Sequence, residues 1–217
     1  MTHRARLAAL VALSILCLGL GACQRAYYGT MEAFGVHKRE ILVDRVESAR
    51  EDQTEAKEEF QTALEKFSAV VNFQGGDLEA KYVELKGQLD RCDSKAGALR
   101  SRIKSIEGVA QALFREWENE LEQYSSPELR RKSEASLRDT RARYDKLVSA
   151  MYRAEGKMEP VLAAFRDQVL YLKHNLNAQA IASLQGEVVT LESNVAELIA
   201  EMERAIAEAD AFIQNMG

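Results

Sequence analysis

Apolar residues recur at alternating steps of three and four along most of the chain. One such seam covers residues 42–70, a second covers 78–117, a third covers 137–172 and a fourth covers 181–212. Residues at this spacing share one face of an α-helix. The pattern therefore predicts four long helices, each with one apolar face to bury.

The residues between the seams predict three turns. Gly75 and Gly76 suit a left-handed helix C-cap, and Asp77 suits the N-cap of the next helix. Ser126 is a good N-cap for the third helix, because Pro127 then falls at the first helical position, where its missing N–H costs nothing. The apolar residues of the third and fourth seams do not continue one spacing, which indicates a last turn at 174–177, where Asn175 and Asn177 suit a helix C-cap and the N-cap of the next helix. The first two predicted helices cover residues 30–73 and 77–124.

Pro160 complicates the third helix, since proline usually stops or kinks a helix. The seam keeps its phase across Pro160, which favours one kinked helix over two separate helices. Four helices of similar length then result, and each is roughly 60 to 70 Å long. We therefore predict an all-α fold, namely a long antiparallel up-down-up-down four-helix bundle with the character of a coiled-coil rod.

Polar residues and one cysteine occupy seam positions. Gln53 lies on the first seam, and Arg141 and Glu155 lie on the third. A buried charge needs a partner, but seam positions near a kink are often partly hydrated, and we favour the second interpretation. Cys92 lies on the second seam, which predicts a small buried apolar side chain. A reactive or dimer-forming thiol is the alternative.

The first 22 residues have the features of a secretory signal peptide. A basic start precedes the apolar residues 7–20, a stretch too short to span a bilayer roughly 30 Å thick. The sequence LGAC that ends at Cys23 resembles the bacterial lipobox. That resemblance implies cleavage before Cys23 and lipidation of this residue, with ordinary secretion and an unmodified Cys23 as the alternative.

The residue after Cys23 indicates whether the lipid is anchored in the inner or the outer membrane. Gln24 stands where many inner-membrane lipoproteins carry aspartate, which favours an outer-membrane location facing the periplasm. We predict a lipoprotein signal peptide over 1–22, a lipid-anchor tether over 23–29 and the four-helix bundle over 30–217.

Charge and composition restrict the function. Removal of residues 1–22 leaves 217 − 22 = 195 residues, with 29 − 2 = 27 basic and 34 acidic side chains, a net charge of −7. An acidic exported domain is not expected to bind nucleic acid. His37 and His174 fall at opposite ends of the predicted bundle, and the sequence has no Gly-rich phosphate loop and no paired-cysteine motif. We therefore expect no enzyme, no cofactor and no metal site.

The end of the bundle far from the lipid is the candidate functional surface. We call this end, formed by the turn after the first helix and the turn after the third, the tip. Phe73 and Gln74 are expected to meet Tyr171, His174 and Asn175 there. The resulting apolar, amide-rich cap is interpreted as the plug that closes the bundle or as a docking site for a partner.

The sequences VNFQGGDLEAKY at 71–82 and LKHNLNAQAIASLQ at 172–185, together with the lipobox, resemble a bacterial family of all-helical lipoproteins known only as a domain of unknown function. The resemblance covers most of the mature chain. It implies a lipoprotein and an all-helical fold, and it implies no activity and no binding residue.

Two functions from different classes follow from these observations. The first is a lipid-anchored periplasmic structural or adaptor rod of the bacterial envelope, which acts by protein–protein interaction. The alternative is a membrane-active or transport-accessory protein whose hairpins open or oligomerise at a membrane. The expected partners are the membrane, through lipid on Cys23, and an unidentified envelope protein. The heptad pattern also allows a homo-oligomer.

Overall fold

The fold is a bundle of four long helices. The computed structural model describes residues 37–73, 75 and 77–216. α1 covers Lys38–Val71, α2 covers Leu78–Leu121, α3 covers Pro127–His174 and α4 covers Ala178–Met216. α1 packs against α2 and α4, and α3 packs against the same two helices. This confirms the predicted all-α four-helix bundle.

Several predicted features lie outside the described residues. They are the signal peptide over 1–22, the tether with Cys23, the predicted start of the first helix at residue 30, Gln74, and Gly76 of the predicted C-cap.

One end of the bundle, which we call the foot, contains the first turn of α1, the α2–α3 turn and the last turn of α4. Lys38 Nζ lies 3.0 Å from Glu116 Oε1 of α2, and Arg39 donates a hydrogen bond to the carbonyl oxygen of Met216. These contacts place the beginning of α1 beside the end of α4. The tip, with the α1–α2 and α3–α4 turns, is the opposite end.

Three of the predicted N-caps form. The side chains of Asp77, Ser126 and Asn177 each accept a hydrogen bond from the backbone N–H three residues later, at 3.0, 3.4 and 3.0 Å. Each bond satisfies a backbone donor that has no partner within its own helix. The positions at which α2, α3 and α4 begin were therefore readable from the sequence.

Two predicted helix ends are wrong by a few residues. α1 ends at Val71, where the C-cap Asn72 has φ −92° and its N–H donates to the Ser68 carbonyl. The left-handed residue is Gly75, at φ +135°, which lies later in the turn and not at the cap. α2 ends at Leu121, so Tyr124 belongs to the exposed α2–α3 turn and does not extend the seam.

The four seams form one continuous core. Its largest fully buried side chains include Phe60, Phe67, Phe165 and Phe212. α3 buries a wider face than its seam alone, because it contacts two neighbouring helices. Its additional buried residues include Leu147, Ala150, Ala154 and Val161.

α3 continues through Pro160, as the unbroken seam predicts. Pro160 is exposed, whereas Met158, Val161 and Leu162 beside it are buried. The proline ring therefore points to solvent and displaces no core residue. Because proline has no backbone N–H, the helix lacks the hydrogen bond that another residue at this position would donate to the carbonyl of Gly156.

We expect Pro160→Ala to raise the free energy of unfolding by about 2 kcal/mol, because alanine restores that donor and removes the clash of the ring with the preceding turn. Urea unfolding followed by circular dichroism measures the change. Gly156→Ala is the matched control, since a Cβ added there meets nothing within 4 Å. It should gain about 1 kcal/mol from helix propensity alone. A smaller gain for Pro160→Ala than for the control would contradict the prediction.

Candidate functional site

At the tip, the α1–α2 turn lies beside the first two turns of α4. Phe73 is half-buried and lines a pocket of about 240 Å³ together with Val71, Leu78, Ile181, Ala182 and Gln185. Phe73 thus packs near the beginning of α4. The sequence prediction, which paired Phe73 with the end of α3, missed this contribution from α4.

The end of α3 reaches the same part of α4. The Tyr171 hydroxyl accepts a hydrogen bond of 3.2 Å from Ser183 Oγ, and Asn175 Nδ2 donates one of 3.0 Å to the Tyr171 carbonyl. His174, the last residue of α3, is exposed. The structure therefore brings Tyr171 and Asn175 together, and it places both Phe73 and Tyr171 beside the first turns of α4.

Exposed apolar side chains are concentrated toward the tip. Of the eight large hydrophobic residues that are exposed in the described part of the chain, five lie near this end. Val189 is 69% exposed and Leu170 is 61% exposed. The others are Val83, Tyr171 and Leu176. Residues 175–191 also carry a single charge, that of Glu187. The α4 side of the tip therefore presents an apolar surface with few charges, whereas the beginning of α2 and the end of α3 carry the exposed charges of Asp77, Glu79, Lys81 and Lys173.

The foot is different in character, because it is rich in charged groups. Arg141 of α3 pairs with Glu118 of α2 at 2.8 Å, and its guanidinium carbon lies 5.0 Å from the centre of the Phe114 ring. Lys132 and Arg130 pair instead with acidic residues of their own helix. Charge pairing at this end is thus partly between helices and partly within α3.

A cavity of about 510 Å³ opens at the foot between α2 and α3. Trp117 lines it, and the indole Nε1 donates a hydrogen bond of 2.7 Å to Ser133 Oγ of α3. The residues around the cavity are otherwise mixed in character: Arg39, Leu113, Glu116, Glu120, Ser136, Asp139, Thr140, Arg143, Asn215 and Met216. No sequence motif pointed to this cavity.

The polar residues at seam positions differ in how far they are buried. Arg141 and Glu155 are partly exposed and each forms an ion pair with α2, which agrees with the expected hydration. Gln53 is only 1% exposed, and its Oε1 has no hydrogen-bond partner among the described residues. The expectation of partial hydration is therefore wrong for Gln53, which lies on the helix whose seam is most completely buried.

Cys92 is a buried free cysteine, as its seam position predicts. Burial raises the pKa of its thiol from 9.0 to about 12. The thiolate is the nucleophilic form of cysteine, so the thiol is held in its unreactive form near neutral pH. The geometry favours the packing role over the reactive one.

In a chain that begins at Gln24, Cys92 is the only cysteine. We expect it to resist an aromatic disulfide reagent at pH 8 in buffer and to react fully in urea. Because the unfolded thiol ionises at a lower pH than the folded one, Cys92 should also reduce stability as the pH rises from 9 toward 12. Rapid stoichiometric labelling without urea would contradict the buried position.

Within residues 37–73, 75 and 77–216, no group of three or more His, Cys, Asp or Glu side chains is arranged to hold a metal ion. None of the four helices in this part of the chain is long and apolar enough to cross a membrane.

Comparison with known proteins shows a match to a family model. Searches of curated proteins and of solved structures gave no match. The model described as "Protein of unknown function (DUF2959)" matches residues 27–216, which includes all four helices and the eleven residues before α1. The chain belongs to this family of proteins of unknown function.

Proposed function

We propose that the protein is a lipid-anchored rod of the bacterial envelope that acts as a structural or adaptor element by protein–protein interaction. Lipid on Cys23 would hold it in the outer membrane, with the bundle in the periplasm. The observation that carries the proposal is the position of the exposed apolar surface, whose α4 part carries few charges. It lies at the tip, whereas the chain enters the bundle at the foot.

The length of the helices separates the apolar surface at the tip from the foot, where the chain enters the bundle. α3 has 48 residues, which corresponds to about 72 Å at 1.5 Å per residue. A surface at the tip is thus held far from an anchor at the foot. A rigid bundle is suited to this task, because its continuous core keeps the two ends at a fixed separation.

The chemistry of the tip favours a protein as the partner. Protein interfaces are depleted in charge at their centre and enriched in aromatic residues. Tyr171, Phe73 and the exposed Leu170 and Val189 provide apolar and aromatic surface, and Glu187 is the only charge from residue 175 to residue 191. A charged ligand would find few complementary groups along residues 175–191.

Photocrosslinking in the native envelope tests the proposal. Tyr171 at the tip and Tyr124 at the foot are each 41% exposed, so they form a matched pair of sites for a photoreactive amino acid. We expect Tyr171 to capture one specific envelope protein, identified by mass spectrometry, and Tyr124 not to capture it. The same adduct from both sites, or only lipid and copies of the chain itself at Tyr171, would contradict an adaptor that acts through its tip.

A further inference from the structure

Ion pairs connect α1 and α4 at a regular step from the foot to the middle of the bundle. Arg50 pairs with Asp210 at 3.0 Å, and Lys57 pairs with Glu203 at 3.4 Å. On each helix the second pair lies seven residues nearer the tip, and residues seven apart share one helix face. We call each such pair of opposed positions a rung. This flank of the bundle thus begins with two charged rungs.

The next two rungs toward the tip are apolar. Steps of seven residues give Leu64 opposite Ala196, and Val71 opposite Val189. Leu64 is half-buried and Val71 is buried, but Ala196 is exposed and Val189 is 69% exposed. The pocket of about 240 Å³ that Val71 and Phe73 line continues the flank beyond the last rung. We call the two apolar rungs together with this pocket the tip groove.

The tip groove carries negative charge that no basic side chain offsets. Glu192 lies on α4 between the two apolar rungs, and Glu65 is next to Leu64 on α1. Both are exposed, and neither pairs with a cation in the part of the chain that the structure describes. The sequence has no Lys or Arg from residue 178 to residue 203. From residue 58 to residue 73 it has only Lys66, which donates a hydrogen bond to Gln88 on the α2 side of α1.

The spacing of the rungs matches an α-helix. Seven residues of helix rise about 10 Å, so a further helix that lies along the flank would present its side chains at i and i+7 to the two apolar rungs. Amphipathic helices bind apolar grooves of proteins through residues at this spacing. A lysine or arginine beside those apolar residues would then lie near Glu65 and Glu192.

We propose that the tip groove binds an amphipathic helix of a partner protein, with apolar side chains on the two apolar rungs and lysine or arginine facing Glu65 and Glu192. The inference rests on the proposed adaptor function and names the chemistry of its partner. A second copy that met the groove with its own groove would bring the same acids, so charge repulsion disfavours this occupant. Anionic lipid headgroups are disfavoured for the same reason.

Binding of model peptides to the chain that begins at Gln24 tests the proposal. The probe is a fluorescent peptide of about three heptads, with leucine at two positions of each heptad and lysine at the positions beside them. A second peptide carries glutamate in place of every lysine. We expect fluorescence anisotropy to show binding of the lysine peptide and none of the glutamate peptide.

Two variants locate the binding in the tip groove. Val189→Asn should weaken binding of the lysine peptide about tenfold, because it removes apolar contact on the last rung. Val83→Asn is the matched control, since Val83 is 60% exposed near the tip but lies on α2, and it should change binding less than about twofold. Val189 and Val83 are both largely exposed, so neither substitution opens the core; circular dichroism verifies the helices.

A reversal of charge tests the acids of the groove. Glu65→Lys combined with Glu192→Lys should make the glutamate peptide the tighter binder. The same change at Glu120 and Glu122, which are exposed at the foot, should leave the lysine peptide preferred.

No binding of the lysine peptide, equal losses in the two valine variants, or a reversed preference in the foot variant would each overturn the tip groove as the docking site. None of these results would touch the adaptor itself, because crosslinking from Tyr171 in the envelope reports whether the tip has a partner at all. The peptides report where that partner binds and which chemistry it uses.

Discussion

Phe165→Ala is expected to lower the free energy of unfolding by about 3 to 5 kcal/mol. Phe165 is fully buried, and its ring lies edge-on to that of Phe67, with ring centres 6.2 Å apart and planes at 86°. Alanine would remove this contact and leave a cavity between α1 and α3. The bundle has no loop at this position that could move to fill it.

Urea unfolding followed by circular dichroism measures this loss. Leu170→Ala is the control, because Leu170 lies five residues later on the same helix and is largely exposed. It should change the free energy of unfolding by less than about 0.5 kcal/mol. A loss below about 1 kcal/mol for Phe165→Ala would show that the two phenylalanines do not share a packed core.

Cys23→Ser is expected to abolish acylation of the protein completely. Cells grown with a fatty acid that carries an alkyne tag should label the natural chain and not the variant. Cys17→Ser is the matched control, since Cys17 lies within the predicted signal peptide and its loss should leave the label unchanged. Labelling of the Cys23→Ser variant would contradict lipidation at this residue.

Loss of Cys23 should also change where the protein is located, because the number of acyl chains determines how firmly a protein is held to a membrane. One chain holds a protein to a membrane only marginally, whereas several hold it almost permanently. Replacement of residues 1–23 by an ordinary cleavable secretion signal should therefore release the protein into the soluble periplasmic fraction. Its continued recovery with membranes would show that the bundle has another means of attachment.

The fold could be predicted from the sequence because its determinants are local. The heptad spacing identifies the buried face of each helix, and Asp77, Ser126 and Asn177 mark where three helices begin. The ends of α1 and α2 were less predictable, because helices end where backbone carbonyls find other partners. At the end of α1 the Asn72 side-chain Nδ2 also donates a hydrogen bond of 3.0 Å to the Ser68 carbonyl, and no glycine was needed at that position.

The arrangement at the tip could be predicted only in part. The seams set the height of each residue along the rod, so they correctly place Phe73 and Tyr171 at the same end. They do not specify how a turn folds over its neighbours, which depends on the path from Asn72 to Asp77 and on the positive φ of Gly75. The packing of Phe73 near Ile181 and Ala182 follows from that path.

Gln53 and the foot cavity escaped prediction for related reasons. The burial of Gln53 depends on the side chains of the helices packed against α1, and a pattern on α1 alone carries no information about them. The cavity is lined by residues of all four helices, and a seam count on each helix does not specify how the four surfaces fit together.

Energy transfer between a labelled residue and the membrane surface tests most directly whether this is a rod fixed at its foot. The lipidated protein in vesicles would carry a donor at Tyr124→Cys or at Tyr171→Cys, with buried Cys92 left unlabelled. Acceptors would be attached to lipid headgroups, with a Förster distance below half the length of the rod. We predict strong transfer from the foot donor and weak transfer from the tip donor. Equal transfer from both would mean that the bundle lies flat on the membrane, and it would contradict the proposed adaptor.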